Sequence, residues 1–321
     1  MKKSISGKVQ TPRALIMRYP NVLPASLRSG AATIGNFDGV HCGHQEVFRN
    51  LRRVAGDRPT TVVSFYPHPV RVLKPEAQLR YISSVREKAE NCGRYGIDVL
   101  YFLHFTSQLA QMSAKTFIEE ILVASLGISA LVVGEDVHIG RNREGSREFL
   151  SKVLPLHGIQ LHIVEKVEIS GAKAGSRKIR ELIEQGMVVE ARQLLGVPFT
   201  ISARVGHGDK RGAGLGFPTA NIAVGNRLIP RRGVYACRVT VDGKVFDAVA
   251  NIGVRPTFNG SSERLEVHLL DFPAKSLYGV RIHVGFVERL RDEKHFHSKE
   301  ELQTQIKQDI LAARARLQDV S

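Results

Sequence analysis

Two glycine-punctuated stretches carry side chains suited to phosphate chemistry. The first reads Ile34-Gly35-Asn36-Phe37-Asp38-Gly39-Val40-His41-Cys42-Gly43-His44 and lies where an apolar run gives way to a helical pattern. A helix start offers free backbone N–H groups and the positive end of its dipole, so it suits a phosphate. His41 and His44 could donate hydrogen bonds to charge developing on a phosphoryl oxygen. Histidines three apart would equally share one helix face by accident. As a metal pair they are weak, since two histidines three apart make an incomplete ligand set even with Asp38 nearby.

The second stretch sets Gly206, Gly208, Gly212, Gly214 and Gly216 around Lys210 and Arg211, directly before Phe217-Pro218-Thr219-Ala220-Asn221. Such a loop can wrap a polyphosphate with backbone N–H groups while the basic side chains balance its charge. Mg2+ takes hard oxygen ligands, for which the Thr219 hydroxyl and the Asn221 amide oxygen are candidate donors. The loop has neither the Gly-Lys-Ser/Thr ending of a Walker A element nor the Gly-x-Gly-x-x-Gly spacing of protein kinases. Glu266 alternates with Leu265, Val267 and Leu269, so its carboxylate points away from that apolar set; an exposed strand glutamate would show the same pattern. Ser176 to Arg180 places basic residues behind a serine, which suits a phosphate or a capped helix followed by solvated charges.

These residues need elements to position them, and the two halves of the chain differ in rhythm. Apolar runs at Ala31–Gly35, Thr60–Phe65, Val99–Leu103, Ala130–Gly134 and Leu161–Glu165 are separated by amphipathic stretches. That alternation predicts an α/β half with a parallel sheet and a ligand beyond the carboxyl ends of its strands. From about Phe199 the pattern is mainly β: Val234–Val241, Val245–Ile252, Leu265–Leu270 and Val280–Val287, with Asp242-Gly243 as a tight hairpin turn. This half reads as an antiparallel sheet or small barrel. Ser298-Lys299-Glu300-Glu301 is a capping-box pattern, and Leu302, Ile306, Ile310, Ala313 and Leu317 form one stripe of a closing helix. Ile179 to Leu195 reads as helical, and Gly196-Val197-Pro198 is the clearest break, which divides the chain into domains 14–196 and 197–321.

Bulk properties narrow the class. The formal charge of +15 suits nucleic acid or polyphosphate, but the basic residues are dispersed, with no long basic arm. No run of about 18 apolar residues occurs and no leader pattern stands at the start, which predicts a cytoplasmic protein without a membrane span. Cys42, Cys92 and Cys237 lack paired spacing and are expected as thiols.

The motifs together resemble a known family. Gly35–His44 is similar to the signature of nucleotidylyltransferases, in particular of the prokaryotic bifunctional riboflavin kinase/FMN adenylyltransferase (FAD synthetase) family. Phe65-Tyr66-Pro67-His68-Pro69 resembles that family's Phe-x-Pro-His-Pro element, and Gly134-Glu135-Asp136-Val137-His138-Ile139-Gly140 its flavin-side loop. Gly208–Asn221 resembles the riboflavin kinase signature, with the Pro-Thr-Ala-Asn core kept at 218–221. Further matches run from Gly233-Val234-Tyr235-Ala236 through Asn251–Phe258 and Leu265–Phe272 to Arg291-Asp292-Glu293-Lys294-x-Phe296, so the resemblance spans nearly the whole chain.

The resemblance implies a Rossmann-like nucleotidylyltransferase domain followed by a β-barrel riboflavin kinase domain with a terminal helix. It implies ATP-dependent phosphorylation of riboflavin to FMN, then adenylylation of FMN to FAD with release of pyrophosphate. His41 and His44 would act on the ATP phosphates, held by Gly35, Asn36, Phe37, Asp38, Gly43, Ser176 and Arg180, with Pro67, His68, Pro69 and Asp136 on the flavin side. In the kinase, Glu266 would be the general base, Gly208, Lys210, Gly212 and Gly216 would hold ATP, and Thr219 and Asn221 would hold Mg2+.

Two departures stand out. The family's Ile-Ser-Ser-Thr-x-x-Arg element is here Ala174-Gly175-Ser176-Arg177-Lys178-Ile179-Arg180, so Ser176 and Arg180 match but a hydroxyl able to bond both ways is lost. Ala213 stands where the family commonly has Arg after Gly212. A riboflavin kinase with weak or lost adenylyltransferase is therefore the nearest alternative reading. A nucleic-acid-binding nucleotidylyltransferase-like protein is the distant one, opposed by a second half unlike any RNA-binding module. The expected partners are riboflavin, FMN and ATP, with no nucleic acid and no membrane.

Overall fold

In a computed structural model of the chain, the described residues are 13–165, 168–169, 172–206, 217–257, 260–273 and 275–318. The first part is built on a six-stranded sheet of β1 (Leu15–Arg18), β2 (Ala31–Ile34), β3 (Thr60–Tyr66), β4 (Val99–His104), β5 (Ala130–Gly134) and β6 (Gln160–Val164). All its pairings are parallel, in the order β1-β4-β3-β2-β5-β6. Parallel neighbours need crossovers, and these carry α1 (Cys42–Ala55), α2 (Pro69–Leu73), α3 (Val85–Arg94), α4 (Ser107–Ala110), α5 (Ala114–Thr116, continuing as a wider π-helical stretch over Phe117–Leu126) and α6 (Arg147–Val153).

The strands read as unbroken apolar runs because both sheet faces are covered. On β4, Val99, Tyr101 and Leu103 enter one core with Ile118, Ile121 and Leu122, whereas Leu100 and Phe102 enter the other with Phe48 and Leu51. Phe48, Leu51 and Ala55 recur on one side of α1, so that side packs on the sheet; each fully buried Phe or Leu contributes about 1.5–3 kcal/mol. From β2 the order runs to β3 and β4 on one side and to β5 and β6 on the other, so the switch point lies between β2 and β5.

The strand β1 has no counterpart in the sequence reading. Only four residues long, with Leu15 and Arg18 exposed, it lacks a periodic signal, and its pairing from Leu15↔Val99 to Arg18↔Phe102 defines it. A short antiparallel pair, β7 (Glu168–Ile169) with β8 (Ala172–Lys173), follows the sheet.

Packing divides the chain between Gly175 and Ser176. The helices α7 (Ser176–Glu184) and α8 (Val188–Leu195) therefore go with the barrel, in contrast to the break expected at Gly196. Their apolar residues Ile179, Ile183, Val188, Ala191 and Leu195 are buried, and the Arg231 N–H donates to the Ile183 carbonyl at 3.2 Å. The turn at Gly196 is a local signal, whereas a domain boundary follows the faces that helices bury.

The second part is a closed barrel in the order β10-β13-β12-β11-β14-β9. Its strands are β9 (Thr200–Gly206), β10 (Ala220–Ile222), β11 (Gly233–Val241), β12 (Lys244–Thr257), β13 (Gly260–Leu269) and β14 (Arg281–Arg291). The β11–β12 hairpin turns at Asp242-Gly243, both with positive φ (46° and 81°), as a tight primed turn requires. In the register, Glu266 faces Asn221 on one side and Asn251 on the other. Directly opposed residues share a face, so these three stand together, away from Leu265, Val267 and Leu269.

The closing helix α9 (Lys299–Gln318) is capped by Ser298 as predicted, its Oγ accepting the Glu301 N–H at 3.1 Å, while the Glu301 side chain reaches one residue further back and accepts the His297 N–H at 3.0 Å. Ala313 and Leu317 pack with Ala236 and Val287, while Leu302, Ile306 and Ile310 wall a cavity. No helix among the described residues is long and apolar enough to cross a membrane.

Candidate functional site

The α/β part holds a cavity of about 940 Å³ at the carboxyl ends of its strands. Ile34 of β2, Gly35 just after it, Phe65 of β3, Gly134 of β5 and Val164 of β6 all line it, which puts it at the switch point. Of the residues predicted from sequence, Gly35, Asn36, His41, Gly43, His44, Pro69 and Asp136 line this cavity.

His41 is the N-cap of α1, and its Nδ1 accepts the His44 backbone N–H at 3.4 Å. That contact leaves the His41 proton on Nε2. The two imidazoles stack with centroids 3.6 Å apart, and Phe37 meets His44 edge-on. Burial pushes the His41 pKa down to about 4, against an opposing pull from Asp38. His44 is also held well below its ordinary value, first by burial and then by the charges of His41 and Lys88. The pair is therefore neutral near pH 7 and can donate hydrogen bonds without repelling each other. His44 Nδ1 and Asn36 Oδ1 are buried without a hydrogen-bond partner among the described residues. Buried polar atoms are seldom left so in a folded protein, and both residues line the cavity.

Phe37 and Asp38 are not among the residues that line the cavity. The Asp38 carboxylate is buried and accepts from Ile82 N at 3.1 Å, Ser83 N at 3.0 Å and Ser83 Oγ at 3.2 Å, while the Gly39 N–H donates to Ser83 Oγ at 3.1 Å. It braces the histidine turn against the segment before α3. Gly39 is required there: its φ is +88°, and a Cβ would stand 2.8 Å from the Ile82 side chain. Phe37 is buried in the core with Phe48. Pro67 and His68 do not line the cavity; His68 Nδ1 caps α2 by accepting the Val70 N–H at 3.2 Å.

The sequence reading missed Lys88. Buried on α3, its ammonium donates to the Asn36 carbonyl at 2.5 Å and to Ser64 Oγ at 3.1 Å, fixing the second residue past β2. One lysine in an amphipathic helix gives no sequence signal. The loop after β5 is held by Glu144, which accepts the Ala114 N–H at 2.7 Å, and by Gly140, where a Cβ would stand 2.4 Å from the Ala114 nitrogen. At its tip Asn142 and Arg143 both have positive φ, and Arg143 Nη2 donates to His138 Nδ1 at 2.9 Å. Arg143 brings a cation to the cavity that sequence reasoning did not select.

Ser176 and Arg180 stand on α7, in the unit that contains the barrel. Arg177, which replaces the family's threonine, is exposed and pairs with Glu181 at 3.3 Å. A Cβ on Gly175 would meet no atom within 4 Å.

The barrel has its own cavity of about 290 Å³, lined by Thr219, Asn251, Glu266 and His268, by Arg291 and Phe296, and by the α9 side chains named above. Glu266 is not a free surface carboxylate: its side chain is 28% exposed and pairs with Arg264 Nε at 2.9 Å. The same guanidinium donates to Asn221 Oδ1 from Nε at 2.8 Å and from Nη2 at 2.5 Å. His268 Nδ1 donates to the Pro218 carbonyl at 2.8 Å, which ties β13 to the segment carrying Thr219. Arg291 makes a two-pronged pair with buried Asp309 at 2.7 and 2.6 Å, locking α9 against β14. Arg264, His268 and Asp309 were not selected from sequence. Gly208, Lys210, Gly212 and Gly216 lie outside the described residues.

Among the described residues no three His, Cys, Asp or Glu side chains cluster as a metal site. The hard oxygens of Thr219 and Asn221 fit an ion that keeps water and takes substrate phosphate oxygens, as Mg2+ does, better than one needing a full protein cage.

Comparison with known proteins matches both halves. Residues 23–178 match the family model of FAD synthetase, and residues 195–317 that of riboflavin kinase. The bifunctional riboflavin kinase/FMN adenylyltransferase of Pseudomonas fluorescens is 42% identical over 90% of this chain and 93% of its own. The protein of the same description from Escherichia coli K12 is 37% identical over 94% and 96%. A solved Streptococcus pneumoniae structure, described as a macrolide-efflux protein, superposes with a TM-score of 0.84 at 30% identity, covering 94% of this chain and 99% of that one.

Proposed function

The chain belongs to the bifunctional riboflavin kinase/FMN adenylyltransferase family, and from that premise we propose how its two sites divide the work. It is an enzyme of flavin synthesis that phosphorylates riboflavin to FMN with ATP and adenylylates FMN with ATP to give FAD and pyrophosphate. With its substrates in hand, the enzyme works in the cytoplasm.

In the barrel, the ribityl 5′-hydroxyl of riboflavin gives its proton to Glu266 as its oxygen attacks the γ-phosphorus of ATP. The bond from that phosphorus to the bridging oxygen breaks and ADP leaves. Thr219 and Asn221 would hold Mg2+, which would supply charge neutralisation to the phosphates. The apolar wall of Val249, Phe296, Ile306 and Ile310 accepts the flavin ring. Such a reaction depends on placement and electrostatics more than on covalent work by the protein.

In the α/β cavity, an FMN phosphate oxygen attacks the α-phosphorus of ATP, and the bond to the pyrophosphate oxygen breaks. Neutral His41 donates from Nε2, and His44 joins it, to oxygens that gain charge in that step. Gly35, Gly43 and Asn36 line the phosphate path, and Pro69 and Asp136 the flavin path.

The observation that carries the kinase assignment is the register that sets Glu266, which lines the apolar cavity, directly opposite Asn221. The test is turnover of riboflavin with ATP and Mg2+, with flavins resolved by chromatography. Glu266→Gln should stop FMN formation while supplied FMN is still converted to FAD. A variant that keeps its kinase rate removes Glu266 as the base.

A further inference from the structure

Arg264 occupies a position that the phosphoryl-transfer scheme does not use. It lies two residues before Glu266 on β13, so both side chains emerge on one face of the strand. Its guanidinium forms an ion pair with the proposed base, Nε standing 2.9 Å from Glu266 Oε1, and the amide oxygen of Asn221 accepts from Nε and Nη2. The side chain is only 22% exposed, so these bonds are formed largely out of water, where charge-assisted contacts are stronger.

An amide oxygen has two lone pairs, and here both are directed at guanidinium protons. A divalent cation ligated by the same oxygen would have to displace at least one of them. It would also place like charges within a few ångströms of each other. Arg264 and the cation are therefore alternatives at Asn221.

We propose that Arg264 is a positioning residue that holds Asn221 and Glu266 in register until the metal–nucleotide arrives, and that its release from Asn221 admits the cation. The proposal rests on the metal role of Asn221 given above. Its consequence is an order of events: free divalent ion binds the barrel poorly, and the cation enters with ATP, whose phosphates supply the missing ligands and a counter-charge for the freed guanidinium. Glu266, released in the same exchange, becomes available to the flavin hydroxyl only when nucleotide is present.

The test uses the full chain and Mn2+ as probe, with free Mn2+ read by electron paramagnetic resonance in the absence of nucleotide. Arg264→Met should raise Mn2+ affinity by about tenfold, the scale of one charge-assisted hydrogen bond. It should lower the Mg2+ concentration for half-maximal kinase activity in the same proportion. Arg264→Lys, which keeps the charge but loses the fork, should fall between the two proteins. Quenching of riboflavin fluorescence on binding shows that each variant barrel is folded. Unchanged Mn2+ affinity in a folded Arg264→Met barrel overturns the proposal, as does a collapse of kcat with unaltered metal dependence, which would make Arg264 a group acting on the transferred phosphate. If Asn221→Ala combined with Arg264→Met binds Mn2+ as tightly as Arg264→Met alone, the ion is not on Asn221, and the metal assignment falls together with the proposal.

Discussion

Replacing Asp38 by Asn distinguishes a brace from a nucleotide ligand. The change keeps the shape of the side chain but turns one acceptor oxygen into an NH2 group. Placed at Oδ2, that group faces the Ile82 N–H and leaves it unsatisfied in a buried site, at a cost of about 1–3 kcal/mol. The bonds that Oδ1 keeps from Ser83 N and Ser83 Oγ become neutral rather than charge-assisted, losing about 1 kcal/mol each. The total of about 3–5 kcal/mol is a large share of a domain stability on the order of 5–15 kcal/mol. It should lower the unfolding midpoint of the α/β unit by about 10 °C. Thermal unfolding followed by circular dichroism measures the shift, and conversion of FMN to FAD below the transition measures the loosened turn. Kinase turnover, carried by the barrel, is the internal reference and should hold. An unmoved transition with a raised KM for ATP would refute the reasoning and make Asp38 a direct ligand.

Other outcomes follow from the same geometry. Gly175→Ser with Arg177→Thr restores the family hydroxyls; since a Cβ at 175 meets open space and Arg177 is exposed, stability should hold while FAD formation rises several-fold, read by flavin chromatography. For pH, the folded His41 pKa of about 4 lies below the unfolded value of about 6.5, so the unfolded chain takes the proton first. The stability of the α/β unit is then full above about pH 6.5 and falls by about 3 kcal/mol as pH drops through 4, with His44 acting in the same direction. Urea midpoints at pH 7 and pH 4.5 measure this, and His41→Asn should flatten the difference; an equal difference in the variant would show that the titration lies elsewhere. In the buried thiols, burial pushes Cys92 up to about 12 and Cys237 higher still, so thiol reagents should reach Cys42 first, as mass spectrometry of the labelled chain would show.

Much of the architecture was legible because it rests on local periodicity. Unbroken apolar runs mark strands covered on both faces, which is why β2 to β6 stood out, and the Asp242-Gly243 turn and the Ser298 cap are signals within a few residues. β1 and β10 escaped because four and three residues are too few for a period to show. The division after Gly175 escaped because it depends on which surface α7 and α8 bury, whereas the turn at Gly196 depends only on its own residues.

For the sites, residue type and spacing pointed to His41, His44, Thr219 and Asn221, since phosphate handling needs donors and hard oxygens in any fold, and the family resemblance added Glu266 as the base. What those residues touch was decided by the tertiary structure. Asp38 sits inside the histidine motif yet bonds Ile82 and Ser83, distant in the chain, and becomes a brace. Lys88 and Arg264 look like ordinary surface charges in one dimension; a crossover and strand register bring them to Asn36 and Asn221. A sequence records the capacity of a side chain, but a hydrogen bond is a relation of position, and position between distant residues is set only when the chain packs.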